Sequence, residues 1–172
     1  MERLILAMLK ISRLDTGSVI FHKELRTVKC LAETAVIDLT TRADLEQKQI
    51  IISGDPSLCL VCDLEWTAEA LGNLIKNALD HTGPGGIIRI IWERSPGMLR
   101  IFVSDNGSGI APEDIHHIFK RFYRSRHSLD AQGIGLGLPL AKAIVEGQNG
   151  SISVRSAPNE GTTFTLSFLT DV

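Results

Sequence analysis

Asn73 and Asn77 stand four positions apart in the segment NLIKNALDHT, residues 73–82. On a helix that spacing puts both carboxamides on one side. Leu74, Ile75, Ala78 and Leu79 form an apolar stripe beside them. Asparagine is a poor helix former, because its amide competes for the backbone, and an inward-facing amide needs partners. Two readings fit: capping or core amides, or a pair of amide oxygens offered to a hard cation. Magnesium prefers oxygen ligands, keeps much of its water and is often shared with substrate phosphates. On the second reading Asn77 and Asn73 would hold it against the phosphates of a nucleotide.

Three further segments could do related chemistry. In SDNGSGI, residues 104–110, Asp105 follows the alternating apolar positions Ile101 and Val103. A carboxylate at a sheet end can accept a hydrogen bond from an exocyclic amine such as adenine's, and Gly107 and Gly109 permit close backbone approach. D-N-G is also an ordinary turn sequence, so a plain Asx turn accounts for the same residues. In GIGLGLPLAKAI, residues 133–144, Gly133, Gly135 and Gly137 stand directly before a helix. Backbone amides there attract phosphate, while the plain alternative is a hinge. The lysine and hydroxyl residue of a P-loop are absent. The G-x-G-x-G spacing, reached from a basic loop, is not a dinucleotide fingerprint either. IFKRFYRSRH, residues 118–127, carries Lys120, Arg121, Arg124 and Arg126 with no acid among them. It reads as a solvated charged face or as a mobile cationic loop closing over polyphosphate.

These segments need elements to hold them. Leu4, Met8, Ile11 and Leu14, with Ile5 and Leu9 beside them, predict an N-terminal helix stopped by Gly17. SVIFHKEL reads as a strand, and residues 28–48 as one helix with Leu31, Ala35, Leu39 and Ala43 in register. QIIIS and SLCLVCD read as strands separated by GDPS, and the asparagine helix spans about residues 64–81. GIIRIIWER and MLRIFVSD form a hairpin across SPG; PEDIHHIF reads as a short helix with Pro112 near its start. LGLPLAKAIVEGQNG is a helix bounded by glycines, and SISVRSA and GTTFTLSFL are two closing strands. Strands hairpin-linked into one sheet, with three long helices on one face, make an α+β two-layer sandwich with a mostly antiparallel mixed sheet.

Composition narrows the function classes. The 172 residues suit one domain with an appendage, and 44% hydrophobic with 22% charged content is ordinary for a soluble globular protein. A net charge of −2 gives no general field for nucleic acid or anionic membrane. No apolar run approaches the ~18 residues of a spanning helix, and no secretory signal opens the chain. Of the three cysteines, Cys59 and Cys62 in LCLVCDL fall on opposite faces of a strand, with no second pair to complete a zinc site. They read as buried structural thiols, which points to a reducing, cytoplasmic compartment.

The order of the segments resembles the ATP-binding catalytic domain of bacterial sensor histidine kinases, within the gyrase, chaperone and mismatch-repair ATPase superfamily. The likeness runs from about residue 22 to 170. Its asparagine box is N73-L-I-K-N77-A-L-D-H-T, its first glycine box D105-N-G-S-G109, and Phe119 with Phe122 makes the phenylalanine box. The second glycine box is G133-I-G-L-G137, and GTTF at 161–164 matches the last strand's glycine-threonine element. The resemblance implies ATP and Mg2+ as cofactors. Asp105 would bind adenine N6, with Thr162 helping through water and Gly107 and Gly109 shaping the turn. Asn77 would be the principal magnesium ligand, with Asn73 beside it. His81 would lie near the ribose or phosphates, where the family often has tyrosine. Tyr123 and Arg124 would belong to the lid, Arg124 reaching phosphate. Gly133, Gly135, Gly137 and Leu138 would flank the triphosphate. The superfamily's hydrolases carry a water-activating glutamate at the position of Asn73, so phosphotransfer is implied over hydrolysis. Many relatives carry a basic residue where this chain has Asp80.

Residues 1–17 resemble the end of a dimerisation hairpin's second helix, and residues 18–172 the catalytic domain. The expected activity is donation of the ATP γ-phosphate to a histidine on a hairpin absent from this chain, in two-component signalling with a response regulator. The chain itself is expected to be monomeric and cytoplasmic, the full-length protein membrane-anchored. HKELR at 22–26 superficially imitates a phosphoacceptor box but lacks the following proline, and His116 and His117 read as surface or packing residues. Two rivals are an ATPase or serine kinase of the same superfamily, marked by steady phosphate release without a histidine acceptor, and a non-catalytic interaction module, separated by an ATP titration.

Overall fold

A computed structural model describes residues 2–124 and 134–170. In chain order the elements are α1 (Glu2–Asp15), β1 (Glu24–Thr27), α2 (Val28–Val36), α3 (Thr40–Leu45), β2 (Gln49–Gly54) and β3 (Cys59–Cys62). There follow α4 (Leu64–Asp80), β4 (Ile87–Ser95), β5 (Met98–Asp105), α5 (Gly137–Gly147), β6 (Gly150–Ser156) and β7 (Thr162–Leu169). The strands of the main sheet lie in the order β2-β4-β5-β7-β6. Its pairs are antiparallel except β2 with β4, which are parallel. This is the expected α+β two-layer sandwich.

Alternation along the strands sends one set of side chains under the helices. Ile88, Ile90 and Trp92 of β4, Leu99, Ile101 and Val103 of β5, and Phe164, Leu166 and Phe168 of β7 are buried. Helix α4 lays Leu71, Leu74, Ile75 and Leu79 into that layer, all fully buried; each contributes roughly 1.5–3 kcal/mol by leaving water. Its start is fixed by Asp63, whose Oδ1 accepts the Trp66 N–H at 3.2 Å. The other oxygen, Oδ2, accepts the His22 N–H at 2.9 Å. Gln148, at the end of α5, accepts the Asp63 N–H at 2.8 Å and donates to Thr67 Oγ1 at 3.0 Å. This buried network sets the angle at which α4 carries its asparagines.

Five local expectations differ from the structure. The strands form two sheets, because β1 and β3 pair only with each other, as a separate antiparallel ribbon. Within SVIFHKEL only Glu24 and Leu25 are in a strand, while Phe21 turns its ring edge-on to Trp66 at 6.0 Å. The helix read over 28–48 breaks after Val36: the Leu39 N–H takes the Val36 carbonyl in a tight turn before α3 begins. PEDIHHIF is a run of turns, with Asp114, His117 and Lys120 N–H groups reaching the carbonyls three residues back. Of the cysteines, Cys62 is buried, which pushes its thiol pKa up, but Cys59 is only half-buried.

Helix α1 ends in a Schellman motif, with Ser18 N–H on Arg13 O, Gly17 N–H on Leu14 O, and Gly17 at φ +67°. It packs against α5 through Leu4, Ala7, Ile11 and Leu14 and leaves Ile5, Leu6, Met8 and Leu9 exposed. Lys10 Nζ donates to Glu69 of α4 at 2.6 and 2.9 Å, and Asp15 pairs with Arg121.

Candidate functional site

The candidate residues gather at the C-terminal end of α4. Asp105 ends β5, between Ile88 of β4 and Thr162 of β7 in the ladder. Its carboxylate is buried, 9% exposed, and Oδ1 accepts the Gly107 N–H at 2.8 Å. Burial raises the Asp105 pKa, while the Gly107 N–H, the His81 charge and the Thr162 backbone N–H work in the opposite direction.

The turn after Asp105 is fitted backbone against backbone. A Cβ on Gly107 would lie 2.1 Å from the His81 carbonyl oxygen, and one on Gly109, at φ +70°, 1.9 Å from the Ala157 carbonyl oxygen. The Ser108 N–H donates to that same His81 oxygen at 3.0 Å, and Asn159 N–H to Ser108 O at 2.7 Å. Thr162 is buried, with its hydroxyl 2.9 Å from Ser156 Oγ, which also accepts the Ile110 N–H at 2.8 Å. Gly161 completes the turn, because a Cβ there would meet the Asp105 carbonyl oxygen at 1.9 Å. Ser156 carries no sequence signal of its own.

Asn73 faces the start of α5. Asn73 Nδ2 donates to Glu69 O at 3.0 Å, which leaves Oδ1 as the outward atom, 3.1 Å from where a Cβ on Gly137 would stand. Asn77 is half-buried, and its carboxamide has no hydrogen-bond partner among the described residues. Helix α5 begins at Gly137 with Leu138 half-buried behind it, no side-chain cap and no acid in its first turn. Its leading N–H groups therefore have no side-chain acceptor among the described residues, the usual setting for an anion.

Between these ends runs the phenylalanine-box segment. Phe119 packs edge-on to Phe164 at 6.2 Å, with Lys142 Nζ 5.4 Å from its ring centre. Phe122 is exposed at φ +61°, and its N–H donates to Gly135 O at 2.9 Å, tying the phenylalanine box to the second glycine box. Tyr123 gives its hydroxyl hydrogen bond to the buried Asp114 and lies 5.4 Å from the His117 ring. Arg124 follows it, exposed. The structure thus brings Asp105, Gly107, Gly109, His81 and Thr162 together, and sets Asn73 against Gly137. Gly133 lies outside the described residues, as do residues 125–127 of the basic segment, Arg126 among them.

Comparison with known proteins agrees with this arrangement. Residues 62–171 match the family described as histidine kinase-, DNA gyrase B-, and HSP90-like ATPase. The sensor protein SrrB of Staphylococcus aureus is 31% identical over 168 residues, covering 96% of this chain and 29% of SrrB. The chain thus spans under a third of that relative's length. The Acinetobacter baumannii histidine kinase AdeS is 22% identical with a TM-score of 0.83, over 99% of this chain and 79% of that one. The mycobacterial sensor histidine kinase MprB is 24% identical with a TM-score of 0.75, over 86% and 97%. Full-length ShkA, solved in complex with AMPPNP, is 22% identical with a TM-score of 0.84, over 98% and 36%. With the matched residues running from the end of β3 through the last strand, the chain belongs to the histidine kinase-, DNA gyrase B- and HSP90-like ATPase family, as a catalytic ATP-binding domain of the sensor histidine kinase kind.

Proposed function

We propose that this domain binds Mg-ATP and donates the γ-phosphoryl group to a histidine on a dimerisation hairpin outside the chain. The observation that carries this reading is the junction at the end of α4. There a buried carboxylate in a glycine-fitted turn stands near Asn77 and near the Asn73 oxygen that faces an uncapped helix start. Asp105 accepts from the adenine amine, with Thr162 beside it, and Gly135 with the first turn of α5, at Gly137 and Leu138, meets the phosphates. Gly133, His81, Tyr123 and Arg124 are assigned to the nucleotide's ribose and phosphate side. The AMPPNP complex of ShkA, a protein of the same fold, supports adenine nucleotide as the ligand.

The donor set fits magnesium. Asn73 has its N–H group engaged and its oxygen outward, Asn77 is half-buried without a protein partner among the described residues, and amide oxygens are hard donors. Asn77, with Asn73 beside it, would hold the ion, which supplies neutralisation of phosphate charge. In the transfer an imidazole nitrogen forms a bond to the γ-phosphorus, the bond to the β,γ-bridging oxygen breaks, ADP leaves and the imidazole loses its proton. That chemistry depends mainly on positioning and charge stabilisation. Asn73 cannot serve as a base for water, and Glu69 one turn earlier is held by Lys10, so transfer is favoured over hydrolysis.

On this reading residues 1–17 end the hairpin's second helix, residues 18–172 form the catalytic domain, and a response regulator receives the phosphoryl group from the hairpin. No described helix is long and apolar enough to cross a membrane; we assign the domain to the cytoplasmic side of a membrane-anchored kinase. The test is radiolabelled ATP. The chain alone should be monomeric and stay unlabelled, and mixed with a separately made hairpin it should label that histidine in an acid-labile linkage. Strong self-labelling, at His22 or elsewhere, would overturn the assignment of the acceptor.

A further inference from the structure

We infer that the Arg42–Asp80 ion pair is a positioning device for the base-binding turn, and that Asp80 touches neither phosphate nor metal. The inference rests on the ATP-binding reading above. Asp80 is the last residue of α4, and its Oδ1 accepts from Arg42 Nη2 of α3 at 2.7 Å. Arg42 Nε also donates to Glu46 Oε1 at 2.7 Å, and Glu46 pairs through its other oxygen with Lys48. Lys48, with a side chain only 8% exposed, donates to the Leu79 carbonyl at 2.7 Å.

Two cations from one neighbouring segment therefore grip the final turn of α4. Lys48 reinforces the Leu79 carbonyl, which otherwise has only the long Thr82 N–H bond at 3.4 Å, and Arg42 holds the carboxylate that the helix dipole would otherwise disfavour at a C-terminus. Burial works against the Arg42 charge, yet Glu46 and Asp80 hold its pKa above the ordinary value. Lys48 and Arg42 in turn lower that of Glu46. An isolated exposed pair contributes little, but these four charges form a network with one member almost buried.

The grip leads straight to the base turn. His81, the next residue, presents the carbonyl that accepts the Ser108 N–H at 3.0 Å and against which Gly107 is fitted. Gly107 in turn donates to Asp105. Asn77 lies a turn earlier, where Leu74, Ile75, Ala78 and Leu79 are already locked in the core. The His81 N–H also donates to the Asn77 carbonyl at 3.2 Å, but that backbone is anchored by the buried side chains around it. Loosening Asp80 is therefore felt at Asp105 more than at the Asn77 side chain. At this helix end the cation comes from α3.

Calorimetric titration of the chain with ADP and with ATP, with and without magnesium, tests this on Asp80→Asn, Arg42→Gln and the swap Arg42→Asp/Asp80→Arg, well below their melting temperatures. Each single variant should weaken ADP and ATP by the same factor, about fivefold, and keep the wild-type gain on adding magnesium. The swap should recover most of the loss. Gly107 and Ser108 amide signals should shift in the single variants while the Asn77 side-chain signals stay. A loss confined to Mg-ATP would make Asp80 or Arg42 a ligand and overturn the inference. So would unchanged affinities, or a swap no better than the single variants. A wild-type chain that binds neither nucleotide would remove the underlying ATP reading, and this inference with it.

Discussion

Asp105, at the end of β5, and Asn77, in the last turn of α4, are held in opposite ways. Around Asp105 the contacts are backbone to backbone: His81 O against Gly107, Ala157 O against Gly109, and Asp105 O against Gly161. Such contacts cannot yield without moving a strand end or a helix end. Around Asn77 the contacts are side chains and helix-end amides: a half-buried carboxamide without a protein partner among the described residues, Asn73 Oδ1 beside Gly137, and the uncapped start of α5. The base end is built before any ligand arrives. The phosphate end leaves polar groups whose partners are the ligand's own atoms.

The sharpest way to break that contrast is Gly107→Ala. The new Cβ would stand 2.1 Å from a backbone oxygen, and overpacking of this kind costs about 1–3 kcal/mol. Thermal unfolding should show the loss, and calorimetry should show ATP and ADP affinity falling together by more than about tenfold. Retained nucleotide affinity would mean that the turn is not a preformed base site.

Removing the carboxylate tests the same end without a clash. Asp105→Ala should cost about 1–3 kcal/mol of binding, roughly 5- to 150-fold, for ATP and ADP alike; unchanged binding of either would sink the adenine assignment. Asp105 also sets a pH dependence. Its pKa is raised by burial, so its stabilising contribution is present below the ordinary aspartate range and lost as pH rises through the raised value. Asp105→Asn keeps an acceptor for the Gly107 N–H but cannot ionise. In urea melts it should lack that decline, gaining on the wild type from acid towards neutral pH. Wild-type nucleotide affinity should move the other way, falling as pH drops through the same value, because a neutral carboxyl is the poorer acceptor.

At the phosphate end the expected losses are narrower. Asn77→Ala should leave the melting temperature unchanged or slightly higher, since alanine is the better helix former. It should remove the magnesium-dependent gain in ATP affinity, about tenfold, and spare ADP without magnesium. A variant that still gains affinity with magnesium contradicts the metal role. Gly137→Ala should be the mildest. Its Cβ would meet a side-chain oxygen at 3.1 Å, and alanine is favoured over glycine in a helix. Stability should stay within about 0.5 kcal/mol, with only a several-fold loss of ATP affinity. A large loss of ADP affinity would erase the distinction between the two glycine boxes.

Most of what defines the family was legible along the chain because it is local. The alternation of β4 through β7, the apolar stripe of α4 and the paired asparagines show their character within a few residues. So do the glycines before α5 and after β5. Periodicity says which face is apolar but not which neighbour will cover it. In this way Leu4, Ala7, Ile11 and Leu14 became the buried edge of α1 while Met8 stayed exposed. The same limit hid the β1–β3 ribbon: a strand pattern carries no mark of its partner. It also turned Ile115, Ile118 and Phe119 into a false helix, where the chain makes three-residue turns and spends Asp114 on Tyr123. Asp80 is the plainest case. By itself the sequence determined that a carboxylate would stand at the end of α4. Only the tertiary structure decided what it does, because its partner Arg42 comes from 38 residues away, and an ion pair depends on distance in space rather than spacing along the chain.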